Sequence, residues 1–182
     1  MNFVNILKTW FNLFWTILIH KYYIFVWGLR LKVPIYQLVT HDCSKFCSDE
    51  WDGYLELNSN NRSDQYLNAW LHHQNTNKHH YQYWILRDNG KVTPLPMPIE
   101  YVKEMVCDWI AANKSYQSDE LSDLSNELLN FKYFEKNHMN IIKLSHQITL
   151  KQIVIVLDEL SNSGYHFDDK IISLFRENIK KE

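Results

Sequence analysis

The sequence predicts an all-α protein, a compact bundle of helices, on three observations. Only four glycines and four prolines punctuate 182 residues, and the apolar residues recur mainly at the three-and-four spacing of amphipathic helices. Alternating apolar runs of the kind that build a sheet are few. A hydrophobic share of 46% with 15% aromatic residues is enough, at this length, for one well-packed core and argues against disorder. The expected domain covers residues 1–182, with a core at about 18–113 and C-terminal helices over 118–182 packed on it.

The first helix is marked by Phe3, Ile6, Leu7, Trp10, Leu13, Phe14 and Ile17, and the row continues through His20, Ile24, Trp27 and Leu31. His20 therefore falls on the buried face, where a polar ring needs a metal or a backbone carbonyl as partner. Trp10 to Leu31 is a largely apolar stretch of 22 residues, but His20 and Lys21 stand at its centre. A lysine there costs about 3 kcal/mol even on a lenient insertion scale, which argues against a membrane span and leaves peripheral contact by this helix as the alternative. Pro34 breaks the pattern, and a second helix is expected from Ile35 through His41 and Asp42. Residues 43–53 hold Lys45, Asp49, Glu50 and the turn-prone Asp52-Gly53, and Asn58 to Asp64 reads as a polar loop.

Trp70, His73, Asn77, His80 and Trp84 then recur at helical spacing. Thr93 to Pro98 is extended, and Pro98 suits the first turn of a helix whose core row is Ile99, Val102, Val106 and Trp109, broadened by Met105 and Ala112. Asp108 lies beside that row between Cys107 and Trp109, where a carboxylate needs a cation, either a metal or a basic side chain. Leu121, Leu124, Leu128 and Phe131 mark one further helix; Thr149 with Gln152 forms a capping box for another that runs through Leu160; Ile172, Phe175 and Ile179 mark the last. His138, His146 and His166 are read as surface or capping residues.

A formal charge of -2 and a pI near 6.5 supply no global attraction for duplex nucleic acid or anionic lipid. Any anion site must be local. The odd set Cys43, Cys47 and Cys107, without a secretory signal pattern, points to the reducing cytoplasm. Cys43 and Cys47 have no second cysteine pair to complete a metal site and are read as packing residues.

The chemistry centres on His41-Asp42. Adjacent His and Asp offer a nitrogen and an oxygen donor to one metal, or let the carboxylate bridge two, a pairing suited to Zn, Mn or Fe(II). On a helix Lys45, four residues after His41, would project on the doublet's side and meet an anionic substrate. The bland alternative is a surface pair at a helix start. The run from Ala69 to Trp84 carries four histidines, His72, His73, His79 and His80, whose bland reading is a solvated polar face. Its flanking indoles favour drawing His73 and His80 inward. On an unbroken helix those two would stand about 10.5 Å apart along the axis, too far for one metal. A break at Asn75 to Asn77, whose side chains compete for backbone hydrogen bonds, would let His73 meet one of His79 or His80. His72, about 100° around the helix from His73, should point elsewhere.

In chain order, His20, His41-Asp42 with Lys45, His73, His79-His80 and Asp108 resemble the pattern of the HD-domain superfamily of metal-dependent phosphohydrolases. His20-Lys21, the run His41 to Phe46, the run Ala69 to His80 and the segment Met105 to Trp109 are more closely similar to an uncharacterised branch. That branch is a domain-of-unknown-function family found in bacteria, phages and large DNA viruses, and the likeness covers most of residues 18–160. The resemblance implies an HD-domain-like helical bundle holding one or two divalent ions (Mn, Fe, Zn, Mg or Co). It assigns one ion to His20, His41, Asp42 and Asp108, and a second to His73 with His79 or His80, bridged by Asp42. Lys45 would face the phosphate, and Glu50 or Asn77 would orient ligands from behind. The implied activity is hydrolysis of a phosphate ester, a nucleotide or cyclic nucleotide, by metal-activated water. Two rivals are a di-iron oxygenase of the same superfamily and a non-catalytic metal-binding or interaction module.

Overall fold

The computed structural model describes residues 3–57, 63–116, 127–129 and 131–180. Helix α1 (Phe3–Arg30) stops ahead of Pro34, with Lys32 at φ 57° reversing the chain. It buries Leu13, Ile17, His20, Ile24 and Trp27 along one row, which Leu31 just past its end continues, chiefly against the long helix Ile99–Tyr116. Leu7, Trp10 and Phe14, expected in that row, are instead exposed. The helix is apolar on two faces, and only one of them meets the body of the protein. Ile99 is likewise exposed at the start of its helix, while Val102, Met105, Val106, Trp109 and Ala112 are buried as expected.

Helix α2 (Ile35–Thr40) closes on α1 at Gly28, where a Cβ would stand 2.1 Å from Leu38 Cδ2. It ends at Thr40, so His41 and Asp42 leave the helix that was expected to carry them. Asp42 adopts φ 54°, a left-handed conformation that Asp tolerates better than most residues. A short 3-10 turn (Cys43–Phe46) leads into α3 (Ser48–Leu57), which runs straight through the Asp52-Gly53 pair read as a turn. Gly53 serves close packing instead: a Cβ there would lie 2.5 Å from Ala69 Cβ and 2.8 Å from the Gln65 carbonyl oxygen on α4 (Asp64–Thr76). Of the expected polar loop, residues 58–62 lie outside the described residues; Ser63 caps α4, its hydroxyl accepting from the Tyr66 N–H at 3.2 Å, and Asp64 opens it.

After a second 3-10 turn (Tyr81–Trp84), strands β1 (Ile85–Asp88) and β2 (Lys91–Pro94) form a hairpin through Asn89 and Gly90, at φ 48° and 74°. Two positive φ values in succession are what a tight two-residue hairpin turn requires. Helix α5 (Ile99–Tyr116) follows. Strand β3 (Glu127–Leu129) then occupies part of the span expected as one helix, pairing in parallel with β4 (His166–Phe167). Leu121 and Leu124 lie outside the described residues, and Phe131 begins α6 (Phe131–His138).

Helices α7 (Asn140–Leu144), α8 (Gln147–Asn162) and α9 (Asp169–Asn178) complete the bundle, α8 packing on α5 and α9 on α8. His146 caps α8 by accepting from the Ile148 N–H at 3.1 Å, whereas Thr149 is buried and its hydroxyl accepts from the Met97 N–H at 3.0 Å. Thr149 thus ties the segment before α5 to α8 and does not cap. Cys43 and Cys47 are exposed and only Cys107 is buried, which corrects the packing role expected of the first two. Among the described residues no helix is long and apolar enough to cross a membrane.

Candidate metal centre

Four segments bring the polar residues of the core together. His20 lies in the buried row of α1; His41 and Asp42 occupy the turn after α2; His73 lies in the last turn of α4, with His79 and His80 in the turn beyond it; Asp108 lies on α5. Helix α4 ends at Thr76, and the backbone N–H of Asn77 closes it onto the His73 carbonyl at 3.1 Å. The break falls where the asparagines suggested it, and the chain folds back far enough for His79 and His80 to approach His73.

Two sets of ligand atoms result, and Asp42 belongs to both. His20, His41, Asp42 and Asp108 each offer an atom within 4.8 Å of the others, and so do Asp42, His73, His79 and His80. In the first set His20 Nε2 stands 3.0 Å from Asp108 Oδ1 and 3.3 Å from His41 Nε2, and His41 Nε2 stands 3.4 Å from Asp42 Oδ2. In the second, Asp42 Oδ1 stands 3.3 Å from His73 Nε2 and 3.4 Å from His79 Nε2. One carboxylate therefore turns an oxygen toward each set. His20, His41, Asp42, His73 and His79 are all at most 2% exposed.

The rings are held from behind. Glu50, fully buried on α3, accepts from His73 Nδ1 at 2.7 Å and from His72 Nδ1 at 2.9 Å. Asn77 Nδ2 donates to Ser44 Oγ at 2.8 Å and lies 3.1 Å from His73 Nδ1. Lys21 donates to the carbonyls of Val39 and His41 at 3.1 and 2.5 Å, fixing the turn that carries the doublet. Glu104, which the sequence reading passed over, accepts from His41 Nδ1 at 2.9 Å and stands 3.4 Å from His79 Nδ1. It lies one turn before Asp108 on α5, and that spacing of two acids beside an apolar row was the available signal. His72 points away from both sets, 39% exposed at its side chain.

Lys45 reaches the site by a different route from the one its spacing implied. In the 3-10 turn residues three apart eclipse one another, and Lys45 Nζ meets Asp42 Oδ2 at 2.7 Å. Trp70 stacks on His73 with centroids 5.6 Å apart, and Trp84 donates to the Lys78 carbonyl at 2.8 Å and packs near Tyr101. Trp70, which also meets the His80 ring edge-on at 5.5 Å, forms a wall of the site.

The cluster could hold a cation. Burial alone would raise the carboxyl pKa of Asp42, but His41, Lys45, His73 and His79 bring it well below the usual range; hydrogen bonds from His20 and His41 do the same for Asp108 against the effect of burial. Burial pulls His41 down, yet Asp42, Asp108 and Glu104 raise it to about 10. Burial keeps His20, His73 and His80 below their ordinary value and so neutral, the form in which imidazole ligates. Asp42 Oδ1, His79 Nε2 and His80 Nε2 are buried without a hydrogen-bond partner, a state that buried polar atoms rarely keep. A donor set of imidazole and carboxylate with those atoms aimed inward fits a divalent ion.

The fold and site thus define a helical bundle whose buried His, Asp and Glu clusters could hold metal ions. Residues 9–157 match the family model described as a Family of unknown function (DUF5662), and the chain belongs to that family. Searches of curated proteins and of solved structures find no match.

Proposed function

We propose that this protein is a metal-dependent phosphohydrolase of the HD-domain type, acting on a phosphate ester of the nucleotide or cyclic-nucleotide class. The observation that carries the reading is Asp42, whose two oxygens face two separate sets of imidazoles while the Lys45 ammonium stands on the same carboxylate. His20, His41, Asp42 and Asp108 would hold one divalent ion; His73, His79 and His80, sharing Asp42, would hold another. When bound, such ions would supply a Lewis acid for a phosphoryl oxygen and lower the pKa of a water toward neutrality.

The chain's own residues prepare that reaction. Glu104 and Glu50 hold Nδ1 of their histidines, so that each ring presents Nε2. Lys45, only 11% exposed at its side chain, lies at the rim of the site as a cation for the substrate phosphate, where partial burial strengthens its attraction. The buried imidazoles, with the half-buried Trp70 indole against His73 and His80, keep bulk water away from the carboxylates.

The test is elemental analysis of the purified protein together with hydrolysis of p-nitrophenyl phosphate, bis(p-nitrophenyl) phosphate and a nucleotide panel after loading with Mn, Fe, Zn, Mg or Co. Metal-dependent release of phosphate or p-nitrophenol supports the reading. Bound iron with O2 consumption and no hydrolysis would replace it with an oxygenase, and a protein that retains no metal would remove it.

A further inference from the structure

Helix α1 carries a second apolar row on the side away from its buried one. Val4, Phe11, Leu18 and Phe25 repeat every seven residues, and Trp15, Tyr22 and Leu29 do the same four residues on. All seven are exposed, from 38% at Leu18 to 66% at Phe11. With Lys8 they fill the eight inward-facing positions of four heptads, the repeat of about 3.5 residues that lets one helix meet another along its length. Helical geometry confines these positions to an arc of about 100°, the width of a single packing seam.

We propose that this row is the seam of a homodimer in which α1 packs antiparallel against α1 of a second copy. Its seven apolar side chains offer roughly 700 Å² per copy, close to the ~800 Å² that each partner contributes to a stable interface. Antiparallel pairing about a two-fold axis near the middle of the helix sets Val4 against Leu29, Phe11 against Tyr22 and Trp15 against Leu18. It also lays each Lys8 over a partner's Phe25 ring, a favourable contact for an ammonium; a parallel arrangement would bring the two Lys8 charges together. A lipid surface fits less well, because a helix lying on a membrane keeps basic residues beside its apolar face. Of the three basic residues on α1, Lys21 is bonded to the carbonyls of Val39 and His41, and Arg30 lies over the rings of Trp27 and Tyr165.

Sedimentation of the full chain over a concentration range tests the proposal. The expected result is a species of twice the 22.0 kDa chain mass, which Phe11→Glu/Phe25→Glu converts to a monomer by weakening association at least about 100-fold. Circular dichroism should be unchanged in that variant, since both side chains are exposed; if it unfolds, Tyr22→Lys alone provides the same readout. Lys8→Leu replaces the one polar residue of the seam, in both of its symmetry-related layers, and should tighten the dimer about tenfold. A monomer at every concentration overturns the proposal, as does a dimer indifferent to these variants. Capture of the wild-type monomer by phosphatidylcholine vesicles, lost in the double variant, would overturn it in favour of a lipid surface.

Discussion

Oε1 of Glu104 stands 2.9 Å from Nδ1 of His41 and 3.4 Å from Nδ1 of His79, so one carboxylate backs an imidazole from each ligand set. Glu104→Gln removes that charge while nearly keeping the shape. Partners in this position are typically worth about 10–100-fold in metal affinity. Titration with Mn or Zn should show that loss with the fold intact, and an unchanged affinity would reduce Glu104 to a packing role.

The sharing of Asp42 makes metal content a discriminating measurement. Asp108→Ala and His73→Ala each disturb one set and should lower the content from two ions to one per chain, whereas Asp42→Ala removes an atom from both and should bring it close to zero. Equal content in wild type and His73→Ala under the same loading would leave a mononuclear site.

Lys45→Ala separates binding from catalysis. An ammonium donates and does not ligate, so metal content should hold while phosphoester hydrolysis falls about 100-fold or more. Loss of metal and of helicity together would mark Lys45 as structural, acting through its contact with Asp42.

The site residues were readable because each is a polar side chain beside apolar neighbours or in an uncommon run, and the Asn-rich stretch after His73 announced the end of α4. The geometry of the doublet was not readable: a helix through Asp42 looked continuous, whereas the helix ends at Thr40 and Asp42 takes a left-handed φ of 54°. Glu104 escaped notice since an acid on a helix is ordinarily a solvated one; its place one turn before Asp108 was a signal, but the two imidazoles it faces are set by the fold. Gly53 misled for a related reason, being used for the approach of two helices where sequence suggests a turn. The exposed row on α1 went unmarked, as a helix apolar on two faces gives one broad hydrophobic signal.

His138 lies against Trp109 and Phe134, with ring centroids 5.2 and 5.7 Å away, and burial lowers its pKa from 6.5 to about 4, with Asp108 acting weakly the other way. The folded state thus keeps the ring neutral where the unfolded chain takes up a proton. Stability from this group is complete above pH 6.5 and is lost as pH falls toward 4, by up to about 3 kcal/mol. In His138→Phe, denaturant midpoints of the metal-free protein should decline less over that window than in wild type. Parallel declines would show that His138 is solvated.

Gly53→Ala tests how the helix contact sustains the site. Alanine raises helix propensity by about 1 kcal/mol over glycine, so α3 by itself would gain. Against that, the new Cβ would stand 2.5 Å from Ala69 Cβ and 2.8 Å from the Gln65 carbonyl oxygen. Backbone cannot swing aside as a flexible side chain can, and relieving the contact requires α3 and α4 to separate. Overpacking of this kind costs about 1–3 kcal/mol and should outweigh the gain in propensity, lowering the denaturant midpoint. The separation also draws Glu50 on α3 from His73 on α4, a contact of 2.7 Å. Metal affinity should therefore fall in the His73 set while the His20 set, carried by α1, α5 and the doublet, keeps its ion. A midpoint and metal content equal to wild type would show that α4 adapts without moving Glu50.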